Sequence, residues 1–245
     1  MNATQALARA QDLERAGLLD EAETAYRAIL AAHPGDADAL HLLGILVHRG
    51  GRTGEAIELM EKASKRAPRD ANILNNLGQL LKAKDRLEDA EKRFRRAIAF
   101  RPDFADAHSN LGTTLSAQNR GEEALACFRR ALDAEPGHAL ATYNLATLLL
   151  GGDRHDEAIP LLRRLAATGA YPADARNNLG YALFETGEPE QAEACFRAAL
   201  KLDPAHADAL VNMGRVSAAR YESAAADECF RRALAVRPRH ARALA

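Results

Sequence analysis

The chain has 245 residues, with Lys plus Arg at 33, Asp plus Glu at 34 and a formal net charge of −1. Such a balance argues against nucleic acid as the main ligand, because phosphate binding needs basic residues in excess on one face. Residues 1–20 include acidic side chains and no continuous apolar block, and no run approaches the ~18 apolar residues of a membrane helix. The expected setting is therefore the cytoplasm, away from membranes. The odd number of thiols (Cys127, Cys195 and Cys229) fits a reducing compartment.

The chain repeats itself. Gly44, Gly78, Gly112, Gly180 and Gly214 fall on a 34-residue period, and Ala146 fills the one missing place. Ala22, Ala56, Ala90, Ala124, Ala158, Ala192 and Ala226 keep the same period without a break. A period of this length marks stacked supersecondary units, which need no single central core. The frames run 3–36, 37–70, 71–104, 105–138, 139–172, 173–206 and 207–240. Each predicts a first helix over places 2–14 and a second over places 17–30.

In chain order, the first frame departs from the pattern at Arg9, Ala10 and Ile29 and reads as a degenerate cap. The second to fourth frames are regular. Place 7 is apolar, place 8 is Gly, place 20 is Ala and place 24 is large (Met60, Phe94, Phe128), so large faces small between the helices. Place 15 is Gly, Asp or Asn in six frames, types that tolerate the left-handed conformation ending a helix. Place 32 is Pro in six frames and stops the second helix. The fifth frame carries Ala146, an early Pro160 and a delayed Pro172, which predict a slight bend and a looser join around residues 168–170. The sixth is regular. The seventh has Ser217 at an apolar place and Tyr221 at the turn, and residues 241–245 read as the start of an eighth first helix.

Small at place 8, Ala at 20, aromatic at 24, Ala at 27 (Ala63, Ala97, Ala131, Ala199, Ala233) and Pro at 32 resemble the tetratricopeptide repeat family over nearly the whole chain. The resemblance implies an all-α, right-handed solenoid spanning residues 1–245, with first helices lining a concave groove and second helices facing outward. The family implies a protein-binding scaffold rather than a catalyst.

No phosphate-cradling glycine loop, nucleophile elbow or HExxH motif is present, so no catalytic residue, cofactor or metal site is expected. The eight histidines are dispersed and the cysteines fall on different repeats. The candidate binding residues form columns on the first helix. Place 6 is Asn76, Asn110, Asn144, Asn178 and Asn212; place 9 includes Gln79, Thr113, Thr147 and Tyr181; place 2 includes Asp106 and Asp174. Places 2, 6, 9 and 13 share one helix face. An asparagine amide can donate and accept at once, so a column of them could hold an extended backbone. The column resembles the asparagine ladder of the repeat region in O-linked N-acetylglucosamine transferases, whose catalytic domain has no counterpart here. Two readings compete with it: the amides could bond between repeats, and the acidic column could cap helix starts. The expected function is a scaffold that holds a peptide or partner protein in the groove. The alternatives are the substrate-recruiting part of a larger transferase and self-association through the terminal repeats. The paired arginines at places 25 and 26 are expected on the outward helix, bridged to nearby Glu.

Overall fold

The computed structural model describes residues 3–239; the expected eighth helix, over residues 241–245, lies outside them. The fourteen helices among the described residues are α1 (Ala3–Arg15), α2 (Leu19–Ala32), α3 (Ala37–Arg49), α4 (Thr53–Arg66), α5 (Ala71–Ala83), α6 (Leu87–Phe100), α7 (Ala105–Ala117), α8 (Gly121–Ala134), α9 (Ala139–Gly151), α10 (His155–Thr168), α11 (Pro172–Glu185), α12 (Pro189–Leu202), α13 (Ala207–Ala219) and α14 (Ser223–Val236). No strand occurs among the described residues. The architecture is an α-solenoid of helix–turn–helix repeats. It forms two compact units, one built from α1–α8 and the other from α9–α14.

The period explains where the helices turn. Place 15 adopts the left-handed conformation in all seven repeats: Gly17, Gly51 and Gly187 at φ 79°, 82° and 86°, Asp85, Asn119 and Asp153 at 59°, 60° and 57°, and Tyr221 at 63°. Tyrosine gains nothing from this geometry. It is 94% exposed and sits there at a cost of about 1 kcal/mol. The first helix occupies places 1–13, one earlier than its predicted span, and α11 starts a further residue early at Pro172.

Small residues bring the helices of each repeat into contact. A Cβ built at Gly78, Gly112, Gly180 or Gly214 would lie 2.6–2.7 Å from the ring at place 24 of its own repeat. At Gly44 the neighbour is the flexible Met60 side chain, at 3.1 Å. In the fifth repeat Ala146 faces Leu162, both fully buried, so the larger residue at place 8 is matched by a smaller one at place 24. The first repeat packs in the same way, with Ala10 and Tyr26 fully buried despite its polar first helix.

Capping follows a rule the sequence reading missed. At four first helices the side-chain cap comes from place 34, just before the helix. Asp36 accepts from Ala39 N, and Asp70 accepts from Asn72 N and Ile73 N. In the second unit His138 Nδ1 accepts from Ala141 N and His206 Nδ1 from Ala209 N. In two repeats place 2 reaches across its own repeat to an arginine at place 31, Asn72 to Arg101 and Asp208 to Arg237.

The fifth repeat departs from the expected loose join. Gly169 (φ 73°) and Tyr171 (φ 51°, ψ 54°) both take the left-handed conformation, and Pro172 opens α11. The turn folds α11 back so that it packs against α10 more extensively than any other second helix packs against the following first helix within its unit. Helix α10 continues through Pro160.

On the outward helices, Arg95 bridges Glu91 at 2.8 Å and Arg231 bridges Glu228 at 2.6 Å, as the charge pattern predicts. The neighbouring place 26 behaves differently: Arg96 donates to the Pro68 carbonyl and Arg232 to the Pro204 carbonyl, each joining its repeat to the one before. Glu23, at place 21, lies between Arg27 of its own repeat and Arg52 of the next, and Glu91 likewise between Arg95 and Arg120. The three cysteines are free and half-buried, and burial pushes their thiols up from the ordinary value.

Candidate peptide groove on the first helices

The asparagine column has a definite inter-repeat geometry. Four place-6 amides bond to the place-5 side chain of the repeat before, while the place-5 hydroxyl of Ser109, before Asn144, is buried without a partner. Asn76 Nδ2 lies 2.8 Å from His41 Nε2, Asn110 Nδ2 donates to Asn75 Oδ1 at 3.0 Å, and Asn212 Nδ2 donates to Asn177 Oδ1 at 2.9 Å. Asn178 bonds to the Tyr143 hydroxyl, which is also bonded to Thr147. Within a repeat, Asn75 and Asn177 pass a further bond to Asn76 and Asn178. His41 is held below the ordinary imidazole value by burial, so its neutral Nε2 is suited to accept from Asn76. These bonds support the inter-repeat reading of the column. They use one of the two amide donors, and the groove reading has to rest on what remains. Asn212 is buried, whereas Asn76, Asn110, Asn144 and Asn178 are half-buried.

In the second unit the columns converge on a depression of about 290 Å³ between α9, α11 and α13. Five of the predicted residues line it: Thr147 from α9, Asp174, Asn178 and Tyr181 from α11, and Asn212 from α13. Tyr143, Asn177, His206 and Asp208 complete most of the wall. The remaining candidates, Asn76, Gln79, Asp106, Asn110 and Thr113, lie on α5 and α7 of the first unit, and Asn144 lies on α9 outside the depression. A larger concavity of about 560 Å³ lies on the first repeat between α1 and α2. It is lined by Ala6, Leu13, Ile29 and three alanines of α2, together with Arg9, Asp20, Glu21, Thr24 and His33, and holds none of the candidates.

The depression has an aromatic side that the columns did not reveal. Tyr143 stacks on Tyr171, with ring centroids 4.5 Å apart and 21° between planes. His155 meets the Tyr181 ring edge-on at 5.6 Å. Arg215 lies over Phe184 and Tyr181, at 4.9 and 5.9 Å, while its charge is matched by Glu185 at 2.8 Å. Burial, with the Asp174 charge behind it, raises the Tyr143 phenol above its ordinary value. The signal for Tyr143 was in place 5, whose mixed residue types hid the column.

The profile of the tetratricopeptide repeat matches residues 7–71 and 109–175, and related profiles of the same description match 48–112 and 173–206. The chain belongs to the tetratricopeptide repeat family. Among solved structures, this tetratricopeptide repeat chain is similar to YrrB, described as a TPR protein with an unusual peptide-binding site. The two share 28% identity at a TM-score of 0.66, over 76% of this chain and 95% of that one. PilF of Pseudomonas aeruginosa shares the fold at 20% identity and a TM-score of 0.76, over 84% and 94% of the two chains. PilW, described as a type IV pilus biogenesis factor, shares it at 22% identity and a TM-score of 0.71, over 85% and 96%. None of the curated proteins matches this chain. No described helix is long and apolar enough to cross a membrane, and no group of three or more metal-ligating side chains occurs among the described residues.

Proposed function

We propose that the chain is a non-catalytic scaffold whose first helices hold an extended segment of a partner protein. The observation that carries this reading is the depression between α9, α11 and α13, built from the predicted columns of three successive repeats. Its wall mixes amide, hydroxyl and aromatic groups, which suits a peptide better than a small reactive substrate: the amides meet backbone and the rings meet side chains. The likeness to YrrB, at 28% identity and with a peptide-binding site in its description, supports the same class of guest. The resemblance of the asparagine column to that of O-linked N-acetylglucosamine transferases supports a peptide backbone as what is held. A partner that must become ordered on docking gives modest affinity.

The test is selection of a random 12-residue peptide display library on the intact chain, followed by binding of the enriched peptides to a plugged variant. Thr147→Trp with Gly151→Trp fills the depression, because both positions line it and are exposed, and a Cβ at Gly151 meets nothing within 4 Å. The expected result is at least a ten-fold loss of affinity with an unchanged helical circular dichroism spectrum. Enriched peptides that bind both forms equally, or no enrichment at all, would overturn the groove reading.

A further inference from the structure

We propose that the α9–α11–α13 depression is a subsite for one cationic side chain, arginine or lysine, of the bound segment. The inference rests on the groove reading above and adds the chemistry that the groove selects.

Charge is the first reason. Asp174 and Asp208 both line the depression with accessible carboxylates, their side chains 54% and 44% exposed, and no lysine or arginine among the described residues lines it. Asp174 meets His206 Nε2 at 3.3 Å, which is an ion pair only when the imidazole is protonated, and Asp208 has Arg237 at 3.4 Å. Asp174 is exposed and its imidazole partner is uncharged unless protonated, so a guest cation can share the carboxylate. Arg215, which lies over the Tyr181 ring, already has Glu185 as its counter-charge at 2.8 Å.

The aromatic wall is the second, independent reason. The face of a tyrosine ring attracts a cation held within about 6 Å of its centroid. The Tyr143–Tyr171 stack borders Asp174, so a guanidinium can lie against a ring and reach the carboxylate in the same pose. Tyr171 does not line the depression itself but stacks on Tyr143, which does. Tyr171 holds the left-handed conformation at φ 51°, whereas no residue at the corresponding turn place among the regular joins (Gly35, Arg69, Asp103, Ala205) has positive φ. Unlike the solvent-exposed Tyr221, Tyr171 is held at this geometry in a ring stack, and strained positions of this kind cluster at ligand sites. The same wall shows that it tolerates such a contact, since Arg215 lies 5.9 Å from the Tyr181 centroid.

Size is the third. About 290 Å³ is at the small end for a ligand pocket and suits one long side chain rather than a whole small molecule.

The test uses the peptides selected on the intact chain. Enriched sequences should share an arginine or lysine at one position. Resynthesis with citrulline for arginine, or norleucine for lysine, should weaken binding to the native chain at least ten-fold. Asp174→Asn should bind the cationic and neutral peptides within about two-fold of each other. Tyr171→Gly should also reduce the preference for the cationic peptide, and because glycine relieves the positive φ, that variant keeps its fold. Enriched peptides that the plugged variant rejects, yet that carry no shared basic residue, would overturn the cation subsite while leaving the groove reading standing. So would equal binding of the cationic and neutral peptides to the native chain. Failure to enrich any peptide would remove both.

Discussion

The contact between places 8 and 24 decides how closely the helices of a repeat approach. At Gly112 a Cβ would lie 2.7 Å from the Phe128 ring, inside any real carbon–carbon contact. Gly112→Ala is therefore expected to destabilise the chain by about 1–3 kcal/mol through overpacking, measured by urea unfolding. Gly44→Ala should cost less, because Met60 can swing away. The fifth repeat supplies the compensation already worked out: Ala146 facing Leu162. Building that pair as Gly112→Ala with Phe128→Leu should give a protein more stable than the sum of the two single losses. This layer was fully legible in the sequence, since size must be complementary at a fixed distance and the period shows which residues meet. The turn residues were legible for the same reason, with Asp85, Asn119 and Asp153 at φ 57–60°.

Between elements the legible part shrinks. The asparagine column was visible, but its partners were not, because place 5 changes from His41 to Asn75, Tyr143 and Asn177 and presents no column. All that these side chains share is an acceptor, and a reading by residue type cannot see it. The caps at place 34 went unseen for a similar reason: acidic residues at place 2 satisfy the helix dipole whether or not they cap, while the imidazoles of His138 and His206 cap from a place of mixed residue types. Joins between second helices depend on charge. Glu23 is held down to about 2, from 4.5, by hydrogen bonds from Arg52 and then Arg27. A carboxyl depressed in the folded state stabilises above its unfolded value, so this contribution is complete above about pH 4.5 and fades as the pH falls toward 2. Glu23→Gln should lower the urea midpoint at pH 7 and flatten its decline across that acid window. A variant that declines as steeply as the native chain would show that the Arg27–Glu23–Arg52 bridge does not contribute.

For the whole molecule, the period made the class of fold plain, but not the division into two units. That boundary follows Ala134, in a turn whose residues look like those of any other repeat. Stability in a stacked array is close to a sum of repeats and nearest-neighbour contacts, so each unit carries its own set of them. Residues 3–134 and 135–239, made separately, are expected each to be helical and to melt cooperatively by circular dichroism; a unit that stays unfolded alone would refute this. The fifth repeat misled the sequence reading because Thr168-Gly169-Ala170 looks slack, whereas two left-handed residues and Pro172 give the turn one defined shape. The bonds from Asn76, Asn110, Asn178 and Asn212 to place 5 of the preceding repeat have a consequence for lineage. A tandem duplication of residues 71–104 would copy Asn75 and Asn76 together, delivering both halves of the latch in a single event. The new junction would mate at once, and length could be gained or shed by recombination with no second mutation needed to repair a seam.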